Sequence, residues 1–331
     1  MIKLVADIDR ESWRELIKCS PFSSYFQSPE FYDFYSTLSF LDVFGWAVFD
    51  RENRLQGLVC GYTIADGGLF KRYFSRRAII QGGVLLRDGA SEDVVRELLS
   101  MLRKELRDKA IYVEVRNSYD YSVYSKAFSE EGFSYQPHLN YIVETSLTID
   151  EIRARYDRDR RRELRRVEDI GLKAEFSYST VDIEAFYAIL SHNYRNKIKK
   201  PLFCKEFFLK ALESEHYRFM VIRFNGRVVG GNLFLAYGDR LYGLFIASEE
   251  TNSSYISISL IDSVIDVANK EGFCLFDFMG AGSPDKPYGV RDFKAKFGGR
   301  LIEFGRFVFV SNRFLYCLGK MVLKMKILYR F

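Results

Sequence analysis

The chain has 331 residues, with 49 Lys plus Arg against 44 Asp plus Glu, a net charge of +5, 48% hydrophobic and 28% charged residues. That composition is ordinary for a packed globular protein and excludes a disordered chain, a collagen-like chain and a small disulfide scaffold. A single core rarely grows past ~250–300 residues, so two domains are expected. Only six Pro and no Pro/Gly/Ser-rich stretch occur, so the two are expected to pack together without a flexible linker.

Met1-Ile2-Lys3-Leu4, followed by Asp7, Asp9 and Glu11, does not read as a signal peptide. No apolar run reaches the ~18 residues of a spanning helix. The five Cys (Cys19, Cys60, Cys204, Cys274, Cys317) form no CxxC and have apolar or aromatic flanks. They read as buried free thiols in a reducing compartment, and a cytoplasmic protein is expected. His138, His192 and His216 are scattered, and no metal site is expected.

In chain order, each half shows the same succession of elements. Trp46 to Phe49, the turn-like Asp50-Arg-Glu-Asn53 and Leu55 to Cys60 read as a hairpin. Apolar residues from Ala78 to Leu86 follow, then a helix whose Val94, Val95, Leu98, Leu99, Leu102 and Leu106 share a face. A short strand over Ala110 to Val115, an aromatic-Gly element from Phe128 to Phe133 and a closing strand over Tyr141 to Glu144 complete the half.

The second half repeats this: Phe219 to Ile222, Asn225-Gly226, Val228 to Leu235, then Leu241 to Ala247. Asn-Gly between apolar runs is a strong hairpin signal. A helix carries Ile256, Ile258, Leu260, Ile261, Val264, Ile265 and Ala268 inward, with Asp262 and Asp266 marking a polar side. Phe273 to Phe278, Phe293 to Gly298 and Phe307 to Val310 match the last three elements. Six elements in one order argue for two copies of one α/β unit joined near residues 146–155.

Four stretches and one histidine are candidates for chemistry. Residues 153–166 hold eight Arg against three acids. In a helix ended by Gly171, Arg158, Arg161, Arg162 and Arg165 share one face. The face is either solvated, with Asp157, Asp159 and Glu163 as local partners, or a bidentate reader of phosphate in RNA or a phosphorylated precursor. Gly280 to Gly299 makes a long shaped loop after a short strand and carries Arg291, Lys294 and Lys296. An open α/β sheet places its ligand crevice there, although a solvated surface loop has the same composition.

Asn252, Ser253 and Ser254 open a helix, where they serve as ordinary caps or hold phosphate. Residues 313–331 carry five basic residues and no acid around Phe314, Leu318, Met321, Val322, Met325 and Leu328. That pattern docks on the first domain or lies on an anionic membrane surface. His192 reads as a structural histidine or as a near-neutral base. The rest of the chain is mildly acidic beneath these two basic helices.

Three of these stretches carry a resemblance. Arg161-Arg-Glu-Leu-Arg-Arg166 with Glu168 and Gly171-Leu172, then Asn252-Ser-Ser-Tyr255, and above all Gly289-Val-Arg-Asp-Phe-Lys-Ala-Lys-Phe-Gly-Gly299 are similar to elements of Fem-type peptidoglycan aminoacyltransferases. They equally resemble the related acetyltransferases of the CelD type. The resemblance implies an α/β (α+β) fold of two tandem GNAT-like domains, each a mixed central sheet flanked by helices.

The domains expected are 1–148 and 149–311, the second carrying the active cleft, with 312–331 returning to the first. The implied activity is transfer of an aminoacyl or acetyl group, from aminoacyl-tRNA or acyl-CoA, onto an amine of a cell-wall or surface-polysaccharide precursor. No cofactor is permanently bound. Lys294 is implied as the catalytic residue, with Tyr288 and Asp277 positioning the amine or relaying its proton. Arg158, Arg161, Arg162, Arg165, Arg291, Asn252, Ser253, Ser254 and His192 are the implied substrate-binding set. The alternative from another class is a non-catalytic module binding RNA or anionic membrane through the basic helices.

Four features depart from the family. Gln27-Ser28-Pro-Glu-Phe31 has Phe where Fem-type proteins usually have Trp, Tyr35-Ser36 offers no Lys, the coiled-coil arm of some members has no room, and a GNAT pyrophosphate loop precedes neither long helix.

Overall fold

The computed structural model describes residues 1–331 except 68, 199, 252 and 329–331, and not the side chains of 69–71, 253 and 322–328. The chain divides into two compact units, one formed by Met1–Pro137 with Phe304–Phe331, the other by His138–Glu303.

The sheet of the first unit runs Ile2–Leu4, Asp42–Phe49, Leu55–Ile64, Arg77–Gly82, Tyr112–Asn117, Arg306–Val310, Ser134–Gln136, with Leu85–Leu86 beside Leu55–Ile64. Arg77–Gly82 and Tyr112–Asn117 are parallel, so a crossover must join them. The helix Glu92–Leu106 supplies it and buries Val95, Leu98, Leu99, Leu102 and Leu106. The predicted helical face is the buried one, and it packs in one core with Val113 and Val115 of the sheet.

The sheet of the second unit runs Arg300–Glu303, Leu139–Glu144, Leu275–Asp277, Arg240–Ser248, Arg227–Tyr237, Tyr217–Phe224, Ala174–Phe176. The Asn225-Gly226 hairpin forms as its sequence dictates, both residues having positive φ (49° and 76°). Leu275–Asp277 runs parallel to Arg240–Ser248, and the helix Ser253–Lys270 bridges them. Its Ile258, Leu260, Val264, Ile265 and Ala268 are fully buried.

The closing strands differ from expectation. Leu139–Glu144 pairs with Leu275–Asp277 and Arg300–Glu303 in the second sheet. Arg306–Val310 pairs with Tyr112–Asn117 and Ser134–Gln136 in the first. Each unit therefore takes its last strand from the other half of the repeat, and the boundary falls after Pro137, earlier than residue 148. Alternation of apolar residues identifies a strand, but not the sheet edge that receives it.

Two further expectations are corrected. Cys60 is buried, but Cys19, Cys204, Cys274 and Cys317 are exposed: the first three lie at element ends, and Cys317 lies on the outer face of the helix Arg313–Leu328. Asp262 does not mark a solvent face. It is 5% exposed, and it accepts bonds from Arg153 (2.6 and 3.1 Å) and Tyr156 (3.0 Å).

The last helix spans Arg313–Leu328. Tyr316 meets Tyr112 edge-on at 5.4 Å, whereas Phe314 and Met321 are exposed. Among the described residues no helix is long and apolar enough to cross a membrane, and no group of three His, Cys, Asp or Glu is placed to hold a metal ion.

Candidate functional site

The second sheet has an open seam. Its parallel pair is joined only at Arg240, Leu241 and Tyr242, opposite Leu275, Phe276 and Asp277. Residues 243–248 continue, paired with Arg227–Tyr237 alone among the described residues. A bulge where Leu233 faces Phe245 and Phe234 faces Gly243 leaves Leu244 without a partner in that register. Residues 243–246 are half-buried. A strand edge there presents backbone N–H and C=O groups to a ligand.

The equivalent parallel pair of the first unit stays joined over six residues, from Arg77 opposite Tyr112 to Gly82 opposite Asn117. The space beyond it is filled. A Cβ at Gly82 would lie 2.6 Å from Ser24 Oγ, and one at Gly83 would lie 2.5 Å from the Tyr121 hydroxyl. Ser24 donates to Gln27 Oε1 at 2.8 Å and Tyr121 to Val84 O at 2.7 Å, all within the buried interior. Among the described residues, the second unit's seam parts after three pairs while the first unit's stays joined.

Where the short strand ends, the backbone turns sharply through Met279 (φ 57°), Gly280 (φ 119°) and Gly282 (φ 80°). A non-glycine residue in the left-handed region needs local support. Met279 N–H finds it by donating to Asp277 Oδ1 at 2.6 Å. Asn140 secures the same turn from the exchanged strand. Its Nδ2 donates to Asp277 Oδ1 at 2.7 Å, and its Oδ1 accepts from Gly280 N at 2.6 Å. Asp277 is 3% exposed, and burial raises its pKa against the opposing pull of Asn140 and Met279.

Lys294 projects from the helix Gly289–Ala295 into this turn. Its Nζ donates to Phe278 O at 2.8 Å and Gly280 O at 2.7 Å, and lies 5.4 Å from the centre of the Phe278 ring. Desolvation lowers its pKa to about 8, partly offset by Asp277 and reinforced by Lys200. An ammonium has three hydrogens, so one remains beyond the two carbonyl bonds.

The other implied residues are dispersed. Tyr288 precedes this helix, and a Cβ at Gly282 would lie 2.8 Å from its ring. The Lys200 ammonium lies 5.8 Å from the Tyr288 centroid. Arg291 is committed to the loop, donating to Ser283 O and Lys286 O at 2.7 Å each. His192 is exposed and meets Asn196 one turn on, at 3.2 Å. Ser254 is exposed in the first turn of its helix, while Asn252 and the Ser253 side chain lie outside the described residues.

Arg158, Arg161, Arg162 and Arg165 share an exposed face, as their spacing requires. Arg162 pairs with Asp159 at 3.2 Å. Arg161 and Arg165 line a hollow of about 210 Å³ with Arg153, Ala154, Leu164 and Glu168.

Sequence reasoning missed two residues. Asn140 lay in the strand assigned to the other domain. Arg160 sits in a run whose charge pattern reads as solvated, but it is 1% exposed. Its i, i+4, i+7 spacing with the apolar Leu164 and Val167 was the available signal.

A family model described as Acetyltransferase (GNAT) domain matches residues 153–294. The match lies within the unit with the open seam and ends at Lys294. No curated protein matches the chain in sequence.

Solved structures match over nearly the full length. FemX has a TM-score of 0.70 at 14% identity, covering 96% of this chain and 99% of that one. L-PGS from Bacillus licheniformis gives 0.59 at 12%, covering 96% of both chains. A tandem GNAT protein of the clavulanic acid biosynthesis pathway gives 0.57 at 11%, covering 94% and 99%. The fold class is therefore mixed α/β, built as two tandem GNAT-like domains.

Proposed function

We propose that this chain is an acyltransferase that moves an aminoacyl or acetyl group onto an amine, with its cleft in the second unit. The observation that carries the reading is the Lys294 ammonium bonded to Phe278 O and Gly280 O, directly past the Leu275–Asp277 strand whose pairing with Arg240–Ser248 stops at Tyr242.

The donor's acyl group lies along the open strand edge. Attack by the acceptor amine turns the carbonyl into an oxyanion, and the third Lys294 N–H stabilises that charge in a site of low polarity. Collapse breaks the thioester or ester bond, the proton lost by the attacking amine passes to the departing sulfur or ribose oxygen, and an amide remains. With a pKa of about 8, Lys294 is mostly protonated at pH 7 and suits this role better than that of a base. Asp277 is too buried to meet the acceptor, so it holds the turn that presents Lys294. The resemblance alone supports a role for Tyr288, at the start of the same helix, in orienting the amine.

The resemblance to Fem-type and CelD-type enzymes supports an acceptor on a cell-wall or surface-polysaccharide precursor. A second reading rests on the exposed guanidinium face of the helix Arg158–Asp169. It makes that face a contact for a phosphate-bearing acceptor or for the acceptor stem of a tRNA donor. The test is to offer the purified protein labelled acetyl-CoA and charged tRNA in parallel, with amino-sugar and peptidoglycan precursors as acceptors. Transfer from one donor is expected. Salt-sensitive RNA or vesicle binding with no transfer from either would favour the non-catalytic alternative.

A further inference from the structure

We infer that Arg160 is a positioning residue for Lys294: its buried guanidinium clamps the two phenylalanines flanking that lysine and fixes where the ammonium points. The inference rests on the acyltransferase reading for its consequence, but not for its geometry.

Arg160 differs from every other arginine of its helix. Leu164 and Val167 share its buried face, and the side chain is 1% exposed. The guanidinium carbon lies 4.4 Å from the ring centres of both Phe293 and Phe297. One terminal nitrogen donates to Phe293 O at 3.2 Å, and the other to Glu163 at 3.0 Å. Among the described residues Nε has no hydrogen-bond partner.

Burying a cation with an unpaired N–H is costly, and an apolar side chain of similar volume is often tolerated as well or better. Packing alone therefore does not account for an arginine here. What arginine adds is a flat cation that grips two aromatic faces at once while bonding the backbone between them.

Those contacts lead to Lys294. Phe293 precedes it and Phe297 follows it by three residues. Phe297 also packs on Phe278 at 5.8 Å, and Phe278 supplies both a carbonyl and a ring face to the Lys294 ammonium. Two backbone constraints close the same joint. Asp157 N donates to Lys296 O at 3.0 Å, and a Cβ on Gly298 (φ 69°) would collide with the Arg155 carbonyl. The Arg helix and the Phe-Lys-x-x-Phe-Gly-Gly element thus act as one assembly, joined at Arg160.

The test uses Arg160→Met, which keeps the volume but removes charge and donors, and Arg160→Lys, which keeps charge but removes the planar grip. Lys294 is acylated by trace acetic anhydride from pH 6 to 11, and its modification is read by mass spectrometry. This readout needs no substrate and is unaffected by whether the acyltransferase reading is correct. In the parent the half-point should lie near 8. In both variants it should move at least one unit toward the ordinary lysine value of about 10.4, with circular dichroism unchanged. If the protein is active, kcat falls about 10- to 100-fold with KM within about twofold.

A half-point that stays near 8 in a folded variant overturns the positioning role, as does a fall in Tm with kcat unchanged. If Arg160→Met does not fold, Arg160→Lys decides by the same two criteria. A shifted half-point in a protein that transfers no acyl group would sink the functional reading and leave the clamp standing.

Discussion

The protonation state of Lys294 gives the sharpest functional prediction. Burial lowers its pKa from 10.5 to about 8. If the ammonium stabilises the oxyanion, activity follows the protonated fraction. That fraction is about 0.9 at pH 7 and about 0.1 at pH 9, a fall of about tenfold. The acceptor amine loses its own proton over a similar range, which raises the rate in any variant. The informative quantity is therefore the ratio of kcat/KM between the parent and Lys294→Arg, because the guanidinium stays charged throughout. Steady-state acyl transfer from pH 6 to 10, by mass spectrometry of the product, gives this ratio. It should be flat below pH 7 and fall about tenfold by pH 9. A ratio that rises with pH would make Lys294 a base, and a flat ratio would remove its titration from the reaction.

Three other outcomes follow from the same packing. Gly298→Ala places a side chain at φ 69° against the Arg155 carbonyl. It should cost about 3 kcal/mol in urea unfolding, and an unchanged midpoint would show that the backbone approach is not tight. Asp262→Ala strands Arg153 and the Tyr156 hydroxyl beside a side chain that is 5% exposed. A loss of about 3 kcal/mol is expected by denaturant titration, against less than 1 kcal/mol if the pair were a surface one. Replacing Arg161 and Arg165 together by Ala should leave stability within about 0.5 kcal/mol. If that face reads phosphate, the slope of log affinity against log salt for an RNA hairpin should fall by about two. An unchanged slope would assign both side chains to solvent.

Much of this architecture was legible in the chain. The period-two runs, the Asn225-Gly226 turn and the helical faces of residues 92–106 and 253–270 are local properties, and local patterning determines them. The exchange of closing strands was not legible. Tyr141 to Glu144 and Phe307 to Val310 have the same alternation, and each satisfies either sheet equally well until the tertiary partners are known. That ambiguity hid Asn140, which supports Asp277 only because its strand belongs to the second sheet. Lys294 was found through a resemblance in its surrounding element. Its two carbonyl partners come from a glycine-rich turn whose course has no periodic signal. Arg160 was hidden by composition. Among eight arginines its charge looked ordinary, and the apolar spacing beneath the charges marked it as inward. The run of eight Arg over residues 153–166 thus conceals two different roles, an outer solvated face and one buried clamp.

Paired transfer assays of the parent and Lys294→Ala test the central claim most directly. Each protein is given labelled acetyl-CoA or charged tRNA and a panel of amine acceptors, and the label is followed into the amide product. The account predicts transfer from one donor by the parent. In Lys294→Ala the rate should fall about 100- to 1000-fold, as for removal of one oxyanion donor, with the fold retained by circular dichroism. No transfer from either donor by the parent, or undiminished transfer by Lys294→Ala, would contradict it.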